Sequence, residues 1–314
     1  MIAKSKVKEE ILENILSEED FDYGAYLYSV ILFFGSLTLS ERKLYLSVEA
    51  GENTILLKFS EALKTVYGIN ATLSVSQHTK KTLKQIELSD KDTLFLLDDL
   101  SAAVVEDGRL IGFTDKLCEK YRNERAFKTV MQTAFLKNGA LRIPDEKGEE
   151  SGYYAEVVFE NDGFAAGVAE ELETYGIKAK LAERNETYAV YLKDGESVGA
   201  FLALVRAYGS ALELQEILLV REERNNSNRR ANCDSHNTDK TALASVKQVL
   251  AITKIQQSAG GLAALPTELY ETALCRLNNN TASTEELAVL LNVSKGCVQH
   301  RLKKLCDISD GLNI

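Results

Sequence analysis

The sequence predicts an α+β protein in which a duplicated αββαββα unit is followed by an all-α tail. Three observations predict it. An apolar, helix-like run ending in glycine occurs twice, as AYLYSVILFFGSL at residues 25–37 and TVMQTAFLKNGAL at 129–141, with Gly35 and Gly139 closing the runs 104 residues apart. Each run is followed at a similar distance by a Tyr-Gly-Ile triplet, Tyr67-Gly68-Ile69 and Tyr175-Gly176-Ile177. Between these landmarks the apolar period switches from helical spacing to the alternation of half-buried strands, with polar loops that suit antiparallel hairpins.

The elements follow in order. MIAKSKVKEEILENIL reads as an amphipathic helix, without the apolar stretch and small-residue cleavage site of a signal peptide. The first repeat, about residues 20–105, reads as a helix at 24–34, a strand at 43–49 and a helix at 53–67. Strands at 71–77 and 84–88 and a helix near 90–102 complete it. The second, about 120–210, reads as helix 124–138, strand 153–159, helix 162–175, strands 178–183 and 187–192, and helix 194–207. The polar stretch PDEKGEESG at 144–152 is a hairpin connection, and Gly68 and Gly176 read as left-handed helix C-caps. Residues 212–220 form a short apolar element.

Composition then changes sharply. Residues 221–240, REERNNSNRRANCDSHNTDK, have almost nothing to bury, and their Asn, Ser and Asp favour turns. They read as a linker between a domain at 1–220 and another at 241–314, its four arginines forming either a solvated stretch or a flexible arm that touches phosphates. Beyond it come a helix near 240–257, a stop at Gly260-Gly261, a helix at 266–278 opened by Pro266, and a final helix pair.

No apolar run approaches the ~20 residues of a membrane helix. Five scattered cysteines without a CxxC spacing point to a reducing cytoplasm. The net charge of −10 disfavours DNA binding only on average: residues 221–314 carry 12 Lys and Arg against 10 Asp and Glu, leaving 25 against 37 in residues 1–220. An acidic lobe is repelled by phosphate, so a DNA contact belongs to the tail.

The tail holds the strongest motif, STEELAVLLNVSKGCVQHRLKKL at 283–305. Ser283 or Thr284 caps a helix with Glu285 and Glu286 in its first turn, favourable at the positive end of the dipole. Leu287, Leu290 and Leu291 form its apolar face. Asn292-Val293 makes the turn. Ser294 caps a second helix whose apolar positions Val298, Leu302 and Leu305 recur at i, i+4, i+7, while Lys295, Gly296, Gln299, His300, Lys303 and Lys304 take the other face. That is a helix-turn-helix layout, whose second helix enters the major groove N-terminus first. Gln pairs with an adenine edge, Lys with guanine or phosphate, and Gly296 leaves room for backbone approach.

In the duplicated runs, the last helical turns resemble the LAGLIDADG motif of homing endonucleases. That family packs two such helices side by side through small residues, and an acid before each glycine holds the divalent metals that cleave DNA. The small-residue positions fall on Ser29 and Thr133, and the acid positions on Phe34 and Asn138. Phe cannot ligate a hard cation, and a neutral amide is a poor substitute for paired carboxylates. The resemblance therefore implies the fold without the nuclease.

The degenerate pair, the Asn-rich stretch and the tail together resemble the WhiA family of bacterial cell-division and sporulation regulators. Asn228-Arg229, Asn232-Cys233-Asp234, Asn237 and Lys240 match its NR–NC–AN–K pattern, with His236 standing where the family usually has Ala, and Gly296, Val298, His300, Arg301 and Leu302 match its GxVxHRL pattern. The resemblance implies a non-enzymatic, cytoplasmic, nucleoid-associated bacterial protein that binds double-stranded DNA. It implies a role in transcription, division, chromosome segregation or sporulation. No membrane, small-molecule substrate, cofactor, metal or catalytic residue is expected. The expected DNA contacts are Ser294, Lys295, Gly296, Gln299, His300, Arg301 and Lys303, with Arg229 and Arg230 in support. Two rival readings are a metal-dependent LAGLIDADG endonuclease and a tail that binds a sigma factor or another transcription protein. A zinc site built from Cys233, His236, Cys297 and His300 is a weaker alternative.

Overall fold

The structure, a computed structural model, describes residues 3–17, 21–76, 83–144 and 152–312. The chain divides into two compact units, Met1–Val220 and Arg221–Ile314.

The first unit opens with α1 (Lys4–Ser17), which buries Val7, Ile11 and Ile15 at i, i+4, i+8. The first repeat is α2 (Tyr23–Phe34), β1 (Gly35–Ser40), β2 (Lys43–Ala50), α3 (Asn53–Tyr67), β3 (Leu73–Ser76), β4 (Leu83–Leu88) and α4 (Asp90–Asp99). After a hairpin of β5 (Ala103–Glu106) and β6 (Arg109–Phe113), the second repeat uses the same order. It comprises α5 (Glu124–Asn138), β7 (Gly139–Arg142), β8 (Tyr154–Phe159), α6 (Asp162–Thr174), β9 (Lys180–Arg184), β10 (Thr187–Leu192) and α7 (Gly195–Leu204).

Each repeat forms a four-stranded antiparallel sheet of the same topology, β1-β2-β4-β3 and β7-β8-β10-β9. Alternation sets the inward face: Leu44, Leu46, Val48 and Ala50 of β2 are buried, as are Ala155, Val157 and Phe159 of β8. Helices start where a side chain can accept a free backbone N–H: Asp22, Asn123, Asn161 and Asp194 cap α2, α5, α6 and α7.

α2 and α5 pack against each other. Ser29 and Thr133 are buried, and each hydroxyl donates to its own helix, to Tyr26 O and Thr129 O. Small, internally satisfied side chains therefore occupy the positions predicted for them. Gly35 and Gly139 are extended, at φ −81° and −74°, so conformational freedom does not explain them. A Cβ on Gly35 would lie 2.3 Å from Ile31 O, and one on Gly139 2.3 Å from the Phe135 ring. The strand leaves the helix too steeply for a side chain at either point. Gly68 and Gly176, by contrast, have the left-handed φ of 68° and 72° expected of them.

Three readings need correction. The helix placed near 90–102 stops at Asp99, and the hairpin of β5 and β6 follows where no strand was expected. Its strands are short and leave Val104, Ile111 and Phe113 exposed, so burial imposed no clean alternation. Gln77 and most of the 144–152 connection lie outside the described residues. Third, residues 212–240, read as an apolar element and a turn-rich linker, are helical throughout, inside α8 (Tyr208–Gln256). The turn preference of Asn, Ser and Asp amounts to a few tenths of a kcal/mol per residue. Without Gly or Pro between Gly209 and Gly260, nothing stronger stops the helix. Thr238 and Thr241 instead donate to the carbonyls one turn back, Asp234 O and Asn237 O. The scarcity of apolar residues shows up as exposure: residues 222–244 are all exposed, Leu243 the one large apolar side chain among them.

The second unit holds the C-terminal turns of α8, then α9 (Thr267–Asn278), α10 (Thr284–Leu290) and α11 (Lys295–Asp310). Ile252, Ile255, Leu269, Leu287, Val298 and Leu302 belong to its core. Among the described residues no helix is long and apolar enough to cross a membrane.

Candidate nucleic-acid interface

α10 and α11 are shaped by three local devices. At the start of α10, Ser283 Oγ accepts from Glu286 N at 3.2 Å and Glu286 Oε2 accepts from Ser283 N at 2.7 Å, a reciprocal capping box. The hydrogen bonds from the Ser283 backbone, and then its side chain, hold the Glu286 carboxyl below the ordinary carboxylate range. In the turn, Asn292 takes a left-handed φ of 51°, and Val293 N donates to Ala288 O at 3.0 Å. Ser294 Oγ then accepts from Cys297 N at 3.3 Å and starts α11. Leu287 and Ala288 of α10 and Val298, Leu302 and Leu305 of α11 are buried together. Leu290, expected on the apolar face, is instead 59 % exposed, while Leu291 packs against the core.

This packing leaves one side of α11 outward. Lys295, Gly296, Gln299, His300 and Lys303 are all exposed, and their spacing sets them on one face of the first turns. A Cβ on Gly296 would meet nothing within 4 Å, so the fold does not itself require glycine there. Ser294 is exposed but its oxygen is engaged in the cap. Lys295 forms an ion pair with Glu285, so an anion at this point competes with a carboxylate.

Arg301 differs from its expected placement. Its side chain is 13 % exposed, and Nη2 lies 3.3 Å from Glu268 Oε2 on α9. It braces α11 on α9 rather than joining the outward face. Arg229 and Arg230 are exposed, but on the helical middle of α8 rather than on an unstructured arm. The two Cys–His pairs do not come together: among the described residues no three His, Cys, Asp or Glu side chains converge to hold a metal.

A residue that sequence reasoning missed holds the approach to α10. Arg276 of α9 is 2 % exposed, and its Nη1 donates to Ala282 O and lies 3.4 Å from Asn279 O and from Ser245 Oγ of α8. The signal was present: Arg276 continues the i, i+4, i+7 stripe of Leu269 and Ala273, an inward position for a charged residue.

The ends of α2 and α5 offer a different chemistry. Phe34 is buried, with Lys137 Nζ 4.7 Å from its ring centroid. Asn138 Nδ2 donates to Val158 O at 3.0 Å. A ring, an amide committed to a strand and an adjacent cation do not fit a divalent metal, which takes anionic oxygen ligands.

The fold and this interface define a class: a duplicated LAGLIDADG-like domain joined to a helix-turn-helix domain. Comparison with known families agrees along the chain. The family model for the WhiA N-terminal LAGLIDADG-like domain matches residues 23–88, that for the WhiA LAGLIDADG-like domain residues 127–224, and that for the WhiA C-terminal HTH domain residues 227–309. The chain belongs to the WhiA family. Relatives described as "Probable cell division protein WhiA" from Staphylococcus aureus strains USA300 and JH9 are each 28% identical over 312 residues, spanning 98% of this chain and 96% of theirs. The crystal structure of full-length DUF199/WhiA from Thermatoga maritima shares the fold with a TM-score of 0.53 at 20% identity, covering 100% of this chain and 99% of that one.

Proposed function

We propose that this chain is a sequence-specific double-stranded DNA-binding protein and not an enzyme. It regulates transcription in connection with cell division, chromosome segregation or sporulation, at the nucleoid in the bacterial cytoplasm. The observation that carries this reading is the exposed face of Gly296, Gln299, His300 and Lys303 on a helix whose other side is fixed in a core. Gln299 reads a base edge, Lys303 takes a phosphate or guanine, and Gly296 admits the DNA backbone. Ser294, Lys295, Arg229 and Arg230 add contacts at the rim, and Arg301 serves by setting the angle of α11. The working division is a duplicated scaffold at 1–220, the exposed helical middle at 221–240, and a reading domain at 241–314.

Selection of the full chain against random duplexes, followed by anisotropy titration at several salt concentrations, tests this. A recovered motif with steeply salt-dependent affinity is the expected result. Absence of any selected motif at low salt would overturn the DNA reading, and nicking of supercoiled DNA by pure protein with Mg²⁺ or Mn²⁺ would overturn the non-enzymatic one.

A second reading, that α10 and α11 also contact a transcription protein such as a sigma factor, is favoured by Val289, 81 % exposed, and its neighbour Leu290. Val289→Asp would then remove partner binding and leave DNA affinity intact.

A further inference from the structure

Three apolar side chains stand in solvent on α8 within the second unit: Leu243, Val246 and Leu250, at 72, 57 and 65 % exposure. Their spacing of three and four residues puts them in one stripe. The same line continues to an acid one turn before, Asp239, and a base one turn after, Lys254. The stripe is a ridge between two grooves. On one side, about 690 Å³ is lined by Thr241, Ser245, Val249, Asn280, Thr281 and Ser283, none of them charged. On the other, about 360 Å³ is bordered by Lys247, Lys254, Ser309 and Asp310. Lys254 Nζ donates to Ser309 O at 3.1 Å, which holds that end of the stripe in place.

We propose that this face is the contact between two copies of the chain, with the two α8 segments antiparallel about the Val246–Lys247 midpoint. The order of the stripe argues for this occupant, because reversing it gives its complement. Leu243 comes level with Leu250 of the second copy, Val246 with Lys247, whose aliphatic stem covers it while the ammonium points to the rim, and Asp239 falls opposite Lys254, twice. Each apolar ridge then enters the uncharged groove of the other copy, the ridge-into-groove packing of crossed helices, and the contact is isologous. Antiparallel α8 segments also align their helix dipoles favourably. This assembly goes beyond the DNA reading and does not depend on it.

The test is sedimentation equilibrium of the full chain without DNA, so its outcome is separate from that of any DNA experiment. A concentration-dependent monomer–dimer equilibrium is expected. Val246→Lys, which sets a second cation level with Lys247 of the other copy, twice, should weaken association by about tenfold or more. Asp239→Lys alone should weaken it by about threefold or more, since two exposed ion pairs become repulsions. Asp239→Lys combined with Lys254→Asp should restore it. Val246→Cys in a Cys233→Ser background should cross-link copy to copy under mild oxidation. Asp239 and Val246 are exposed in the single chain, and unchanged thermal melting verifies that each variant folds. A monomer at all concentrations, a dimer indifferent to Val246→Lys, or a charge swap that fails to restore association would each overturn the proposal.

Discussion

The helix pair α2–α5 and the helix pair α10–α11 both place polar or chemically suggestive positions near a helix end, and they differ in what those positions are committed to. At the end of α2 and α5, Phe34 is buried under the Lys137 cation and the Asn138 amide is spent on Val158 O. On α11, Gln299, His300 and Lys303 are exposed, while the side chains that hold the helix are others: Ser294, Val298, Arg301 and Leu302. A motif keeps its chemistry only where its side chains are relieved of structural duty. In the first pair one position is buried and the other is tied to a strand, whereas the second keeps the two tasks on separate faces.

Substitution should break this contrast most visibly at Phe34. Phe34→Ala removes a buried ring and the seat of the Lys137 contact, and should cost the duplicated domain about 3 kcal/mol or more in a denaturant titration. Affinity of the chain for its selected duplex should not change. If affinity fell while the second unit stayed folded, the duplicated domain would be part of the reading surface.

Arg301→Ala probes the boundary between the two tasks. Losing a largely buried side chain and its Glu268 partner should destabilise the second unit by about 1 kcal/mol and weaken DNA binding together. Gln299→Ala should instead leave stability within about 0.5 kcal/mol and relax preference at one base pair, by roughly tenfold in relative affinity. Lys303→Ala should weaken all duplexes similarly and reduce the slope of log affinity against log salt by about 1. Loss of affinity without loss of stability at Arg301 would make it a direct contact and erase the distinction.

How far these faces were legible in sequence follows the same contrast. Strong local rules gave α5 and β10 to the residue, because an Asn cap and a terminal glycine bound the helix and period-2 alternation marks the strand. The exposed face of α11 was legible because its apolar spacing left no other side for the polar residues. What escaped was decided by distant partners or by weak preferences. Arg301 fits a family pattern and a basic helix, and only the position of Glu268, 33 residues away, turns it inward. Arg276 stands on the inward stripe of α9, so its burial was legible, but the loop carbonyls that receive it were not. Residues 221–240 look like a turn-rich linker, yet helix continuation from both flanks outweighs small local preferences.

The smallest effect expected concerns the cap that aims the second pair. Glu286 closes the box on Ser283 as a carboxylate, and the hydrogen bonds from Ser283 lower its pKa in the folded state. A group with a depressed folded value adds stability above its unfolded value, about 4.3 for Glu, and loses that contribution as pH falls through the folded one. The second unit should therefore lose a little stability, and melt at a slightly lower temperature, on acidification below that range. Glu286→Gln keeps a hydrogen-bond acceptor for the Ser283 N–H but cannot titrate, so it should flatten this part of the pH dependence while melting a little lower near neutrality. An unchanged acid profile in the Gln variant would show that the box is held by the Ser283 hydroxyl alone, and that the orientation of α11 owes nothing to the charge of Glu286.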